Sequence, residues 1–261
     1  MIPKTLHYFW IGKNPMGDKE KRCISSWKKY LPGFEIKLWN ENNFDFSKNE
    51  YMVEAIKNKK YGFAIDVARL YVLYEYGGVY LDTDVEFIKK FDDKILDNKM
   101  FCCFEGKRGI NFGSIVGAEK ANETIKYLLD QYKYRKFILK DGSLNLATCV
   151  KYQTQDLRKR LGIKLDNKMQ SKDGVSIFPS DYFDPKDPST GAIGLTTNTY
   201  SIHHFAGTWL SDSDHKRLEK KRAIMSKHRI LGKVYADMYL FFSILKEKGI
   251  KSVFMKIKNR I

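Results

Sequence analysis

The chain has 261 residues, 43% of them hydrophobic and 14% aromatic, with 47 Lys and Arg against 31 Asp and Glu, a formal charge of +16. That content of core-forming residues excludes a disordered chain, and 6 Pro with 18 Gly exclude collagen-like or linker sequence. No apolar run approaches the roughly 20 residues of a membrane-spanning helix, which leaves one globular domain of ordinary enzyme size plus an appendage.

In chain order, residues 5–12 (TLHYFWIG) predict a buried strand ending at a glycine. Residues 17–30 predict a helix with Cys23, Ile24, Trp27 and Tyr30 on one face, and 34–39 (FEIKLW) an alternating strand. This β-α-β order implies a parallel pair with a right-handed crossover. Residues 51–59 and 63–76 predict helices, the second ended by Gly77-Gly78. A short strand, 79–81, then runs into Asp82 and Asp84. Strands are expected over 85–88, 100–104 and 112–116, helices over 121–135 and 145–160, and late strands over 175–178 and 199–205. The stretch 179–197, with three prolines and two glycines, is the longest irregular segment and predicts a functional lid. The alternation gives an α/β class with a mixed sheet.

The charge is unevenly placed. Residues 215–261 hold 14 Lys and Arg against 3 acids, a net +11, and residues 1–214 carry only +5. The tail is patterned: Leu231, Val234, Tyr235, Met238, Phe241, Phe242 and Leu245 recur at helical spacing, and Gly249 is expected to break the helix. A basic amphipathic helix of this kind packs on its own domain, lies on an anionic membrane surface, or binds nucleic acid. The nearly neutral body argues against nucleic acid. The expected division is therefore a domain over 1–214 and a basic helical extension over 215–261.

Cys23, Cys102, Cys103 and Cys149 form no C-x-x-C pair and stand beside no His at zinc spacing; Cys102 and Cys103, in an apolar run, read as core residues. The opening MIPKTLHYFWIG shows no charged segment followed by an apolar one. Both features lead to the expectation of a cytoplasmic protein, held peripherally at the inner face of the membrane if the tail binds lipid.

Residues 62–84 carry the sharpest chemical signal. Asp66 and Arg69 lie three apart, on one face of a helix otherwise rich in Phe, Ile, Val and Leu. Buried charge has a partner or a task. A buried strand then delivers Asp82 and Asp84 together. Two adjacent carboxylates repel unless a cation lies between them, and Mg²⁺ or Mn²⁺ favours such oxygen ligands together with substrate phosphates. An isolated D-x-D is more often two solvated acids in a turn; the Gly-Gly turn, the apolar strand and the upstream Asp–Arg pair change that balance.

The block DVARLYVLYEYGGVYLDTDV resembles the sugar-binding region of glycosyltransferase family 32. IPKTLHYFWIG and LPGFEIKLWNE resemble that family's opening segments, and HHFAGTW its C-terminal His-to-Trp motif, so the likeness spans about residues 1–210. Within the family the chain looks most like bacterial capsular or surface-polysaccharide enzymes. The resemblance implies a GT-A nucleotide-diphosphosugar fold with a mixed, mostly parallel sheet and C-terminal helices. It implies a retaining transfer, probed first with a uridine-diphosphate donor, onto a glycan or lipid-linked oligosaccharide. It further implies that Mn²⁺ or Mg²⁺ bridges the D-x-D and the donor diphosphate. By position, Trp10 would stack on the base, and Asp66 and Arg69 would hold the donor sugar. Asp82 would contact ribose, sugar or metal, and Asp84 would be the principal metal ligand. His203 would lie near the metal or diphosphate, Trp209 would close over the diphosphate, Thr208 would join the donor site, keeping the hydroxyl where a Ser is commoner, and Asn111 would face the donor sugar. The doubled HH leaves open whether His203 or His204 reaches the site. Two other readings stand beside this one: a toxin- or effector-like transferase acting on protein, and a basic nucleic-acid-binding protein whose D-x-D is a nuclease metal site.

Overall fold

The computed structural model describes residues 1–12, 14–207, 212–227 and 231–258. They form two units, Met1–Pro185 with Leu195–His204, and Lys186–Gly194 with the chain from Phe205 onward. In the first unit the order is β1 (Thr5–Phe9), α1 (Asp18–Tyr30), β2 (Glu35–Trp39), α2 (Glu50–Lys57), α3 (Tyr61–Tyr76), β3 (Gly78–Tyr80), β4 (Val85–Phe87), β5 (Met100–Glu105), β6 (Gly109–Ile110) and β7 (Val116–Ala118). There follow α4 (Glu123–Gln131), α5 (Cys149–Leu161), β8 (Gln170–Lys172), β9 (Val175–Phe178), α6 (Ser180–Phe183) and β10 (Ser201–His203).

The main sheet runs β2-β1-β3-β7-β5-β9-β8, with β6 paired to β5. The β1–β2, β1–β3 and β5–β9 pairs are parallel, so β1, β2, β3, β5 and β9 share one direction while β6, β7 and β8 oppose it. This is the mixed, mostly parallel α/β sheet expected of a GT-A-type fold. Both faces of the sheet are buried. In β5, Met100, Cys102 and Phe104 join one apolar cluster, and Phe101 and Cys103 the other. Period-two alternation between two covered faces explains why MFCCF reads as an unbroken apolar run. Cys23, Cys102 and Cys103 are buried, and burial raises all three thiols above the ordinary range, as core cysteines require.

Three junctions aim the chain at one end of β3. Helix α3 is buried on almost every side, from Phe63 to Leu73. It stops at Gly77, φ +67°, followed by Gly78, φ +104°. A Cβ on Gly78 would lie 2.5 Å from the Thr5 carbonyl oxygen and 2.8 Å from His7 Nε2, so only glycine lets the helix turn directly into the sheet. Helix α1 carries Asp18 and Glu20 in its first turn and Lys28 and Lys29 in its last, the polarity a helix dipole favours. Its Trp27 Nε1–H donates to the Val85 carbonyl at 2.7 Å, and its Ser26 Oγ accepts from the Phe87 N–H at 2.9 Å. These bonds pin the chain just beyond the D-x-D.

Several expectations are corrected. The strand expected over 85–88 forms as β4, and it pairs antiparallel with β10 in a separate two-stranded sheet, because the chain turns at Asp82–Val85. The strand expected over 112–116 starts only at Val116, since Asn111 Oδ1 accepts the Gly113 N–H and competes with the ladder. The predicted helix over 121–135 is α4, capped by Asn122 and ended in a 3₁₀ turn. The segment 179–197 is not one irregular lid: it contains α6, and Lys186–Gly194 belongs to the second unit.

In the second unit α7 (Asp212–Lys227) and α8 (Gly232–Lys258) are joined by Arg217, which bonds Asp214 at 2.7 Å and Glu247 of α8. The expected break at Gly249 does not occur; α8 runs through it. A lone glycine costs about 1 kcal/mol against alanine and is a penalty rather than a stop. Leu231, Val234, Tyr235, Met238, Phe241 and Phe242 are exposed. Among the described residues no helix is long and apolar enough to cross a membrane.

Candidate functional site

The end of β3 lies at the middle of the sheet. There the Asp82 N–H donates to the Gly113 carbonyl at 2.9 Å, and the Val85 N–H to the Asp82 carbonyl at 3.2 Å. The resulting turn presents Asp82 and Asp84. Strand β10 registers His203 opposite Val85, and the His204 N–H bonds the Asp84 carbonyl at 3.0 Å. His203 Nε2 then lies 3.2 Å from Asp84 Oδ1, while His204 Nε2 meets Glu86 Oε2 at 2.7 Å. Alternation along β10 sends the two rings apart, and His203 is the one that reaches the pair of aspartates. Asp82, Asp84 and His203 each offer a ligand atom, all within 4.8 Å of one another. Two carboxylates and an imidazole form a donor set able to hold a divalent cation.

Arg69 links this cluster to α3. Its guanidinium bonds Asp66, stands 3.8 Å from Asp82 Oδ1 and lies over the Tyr80 ring at 4.8 Å. Its Nε and the NH1 nitrogen are buried without a hydrogen-bond partner. Buried guanidinium hydrogens left unpaired are costly, and their fork geometry suits phosphate or polyol oxygens. Burial pushes Asp66 up to about 6 against the pull of Arg69. Tyr80 Oη donates to Asp82 Oδ1 at 2.7 Å. Gly113 is required by proximity: a Cβ there would lie 2.3 Å from Asp82 Oδ2. Trp10, half-buried at the end of β1, has its indole N–H tied to the Asn14 carbonyl at 2.8 Å.

Behind His203 stands a second polar layer that the sequence reading missed. Ser114 Oγ is 3.0 Å from His203 Nδ1 and donates to Asp184 Oδ2 at 2.6 Å. Asn111 Nδ2 donates to Glu105 Oε2 at 3.1 Å and to Asp184 Oδ2 at 3.3 Å. The Asn111 amide, expected to face a donor sugar, is thus engaged with neighbouring side chains. Burial would lower the proton affinity of His203, but the charge of Asp84 and its hydrogen bond prevail and raise it to about 9. Burial likewise pushes Asp184 up to about 7, against the favourable field of His203. No short motif marks Asp184 or Ser114, which lie 70 residues apart in sequence.

The structure therefore brings together Asp66, Arg69, Asp82, Asp84, Asn111 and His203. Thr208 and Trp209 lie outside the described residues.

Residues 17–102 match the family model described as "Glycosyltransferase sugar-binding region containing DXD motif". The chain is 23% identical over 195 residues to "Subversion of eukaryotic traffic protein A" of Legionella pneumophila, covering 62% of this chain and 30% of that protein. It is 34% identical over 92 residues to "Inositol phosphoceramide mannosyltransferase 3" of Schizosaccharomyces pombe, covering 32% of this chain and 24% of that protein. The solved structure titled "PaToxG Glycosyltransferase" aligns with a TM-score of 0.47 at 19% identity, over 62% of this chain and 70% of that one. The chain spans less than a third of the length of these two curated relatives. The matched segment includes the Asp66–Arg69 pair and both aspartates of the cluster.

Proposed function

We propose that the chain is a metal-dependent, retaining glycosyltransferase that moves a sugar from a nucleoside-diphosphate donor to a lipid-linked or oligosaccharide acceptor. One observation carries this reading: the Asp82–Asp84–His203 cluster adjoins a buried arginine with two nitrogens lacking hydrogen-bond partners. Asp82, Asp84 and His203 would hold Mn²⁺ or Mg²⁺. The cation supplies positive charge that stabilises the diphosphate as it leaves. Arg69 donates to donor oxygens, and Asp66 keeps Arg69 oriented and accepts from sugar hydroxyls. Trp10 offers a flat face to the base, worth about 1–3 kcal/mol by analogy with nucleobase stacking. Trp209 is assigned to the diphosphate, and Thr208 to the donor, by resemblance alone. The acceptor hydroxyl attacks from the front side; its bond to the sugar forms as the bond to the diphosphate oxygen breaks, and that oxygen takes the proton. A trapped glycosyl–enzyme adduct in mass spectrometry would overturn this step.

The tail supports a membrane setting for this reading. Exposed Val234, Met238, Phe241 and Phe242 in a segment of net +11 favour an anionic membrane surface, where each nearby Lys or Arg contributes about 1 kcal/mol. A cytoplasmic enzyme held there meets lipid-linked precursors of a bacterial surface polysaccharide. The name of the yeast relative, an inositol phosphoceramide mannosyltransferase, supports a lipid acceptor. The second reading is a protein acceptor, as a toxin- or effector-like transferase would use; the name of the relative "Subversion of eukaryotic traffic protein A" is in keeping with an effector-like role. The deciding experiment incubates the full chain with Mn²⁺ and labelled nucleotide sugars, then separates lipid, glycan and protein fractions. Metal-dependent turnover of a uridine-diphosphate sugar with label in lipid or glycan is expected. No turnover of any nucleotide sugar sinks the reading, and label in protein selects the second.

A further inference from the structure

Asp184 ends α6 and is 3% exposed, and nothing in the D-x-D region accounts for it. Its Oδ2 accepts from Ser114 at 2.6 Å and from Asn111 at 3.3 Å, and its Oδ1 is buried with no hydrogen-bond partner. A buried carboxylate costs stability unless paired, so a purely structural reading leaves half of this group unexplained. The direction of the hydrogen bonds supplies an account. A serine hydroxyl has one proton. With Asp184 ionised, Ser114 gives that proton to the carboxylate at 2.6 Å, so toward His203 it presents lone pairs, and His203 Nδ1, 3.0 Å away, is then the donor. Asn111 does not reverse this. Its Oδ1 accepts the Gly113 N–H at 2.9 Å, which fixes the amide; its Nδ2 lies 3.1 Å from Glu105 Oε2 and 3.3 Å from both Asp184 Oδ2 and His203 Nδ1, and its two hydrogens match the two carboxylates, the stronger acceptors. With the proton on Nδ1, Nε2 is the nitrogen that faces Asp84 and is able to ligate a cation.

We propose that Asp184 is a positioning residue for the cation site, acting through Ser114 to fix the His203 tautomer and ring orientation that turn Nε2 toward Asp82 and Asp84. The inference rests on the metal reading given above. Outer-layer partners of this kind hold ligating histidines in place, and their loss costs about 10–100-fold in metal affinity. Asp184→Asn is close in shape but offers an N–H to Ser114, which turns the serine proton toward Nδ1 and places the imidazole proton on Nε2, where it blocks the ligand.

The test is calorimetric titration of the full chain with Mn²⁺ alone, at fixed pH and at a temperature where each variant is folded. Asp184→Asn is expected to weaken Mn²⁺ binding about 10–100-fold, and Ser114→Ala in the same direction. In a His203→Ala background Asp184→Asn should change the affinity no further, because the pathway to the metal is gone. A merely structural aspartate lowers the melting temperature and leaves the affinity of the folded protein untouched. Unchanged affinity in Asp184→Asn and Ser114→Ala, or losses that add to that of His203→Ala, overturns the inference while the metal reading stands. Absence of Mn²⁺ binding in the unmodified chain, with no difference from Asp84→Asn, removes both. Where Asp184→Asn does not fold, Ser114→Ala and the same cycle decide.

Discussion

His7 and His203 are both buried in the first unit, 0% and 6% exposed, yet they hold protons in opposite ways. His7 lies within β1, with Nε2 2.8 Å from the Gly77 carbonyl and Nδ1 accepting from the Trp39 indole N–H at 3.1 Å. Its partners are neutral, and burial lowers its pKa to about 4. His203 faces Asp84 on one side and the Ser114–Asp184 pair on the other. There the carboxylates overcome burial and raise the value to about 9. The difference teaches that burial alone does not set the protonation of a histidine. The charge of the partners does. His7 joins the helix stop at Gly77 to the sheet and packs against Trp39 and Tyr76; His203 completes a cluster able to hold a cation.

The largest expected effect breaks the His203 side. Asp84→Asn removes the charge that raises His203 and one proposed ligand, so metal-dependent turnover should fall by more than the ~100-fold typical of outer-layer losses, with little change in circular dichroism. Retained activity in Mn²⁺ sinks the site assignment. Next, Arg69→Met leaves Asp66 buried without its partner; breaking such a pair costs about 3–5 kcal/mol, measured by urea denaturation. A loss under about 1 kcal/mol would mean that Asp66 reaches water.

A third prediction concerns His7. Its folded pKa lies below the unfolded 6.5, so the stability it contributes is present above pH 6.5 and is lost as pH falls toward about 4. The 2.5-unit span corresponds to about 3 kcal/mol. Urea midpoints between pH 7.5 and 4 should show this loss, and His7→Gln should flatten it. An equally steep acid limb in that variant assigns the effect elsewhere. Smaller again, Gly113→Ala pushes a methyl against Asp82 Oδ2. Overpacking of this kind costs about 1–3 kcal/mol, and here it should appear as weaker Mn²⁺ binding rather than in stability alone. Identical Mn²⁺ titrations for the two proteins would show that Asp82 yields freely.

Much of the architecture was legible because its signals are local. Helix α3 and its Gly-Gly stop, the parallel β1–β2 pair and the apolar run of β5 follow from periodicity and turn chemistry within a few residues. So do Asp66, Arg69, Asp82 and Asp84, which share one continuous segment. Gly249 does not end α8, because a glycine's helix penalty is not a boundary. The strand expected at 112 was misplaced because Asn111 spends its side chain on the backbone there.

The sequence by itself determined the α/β alternation, the D-x-D at a strand end and the concentration of charge in the last 47 residues. Only the tertiary structure decided which histidine faces the aspartates, that β4 leaves the main sheet to pair with β10, and that Asp184 reaches Ser114 across 70 residues. Periodicity fixes which way a side chain leaves its own strand. Strand register and chain crossing, which depend on contacts distant in sequence, fix what it meets.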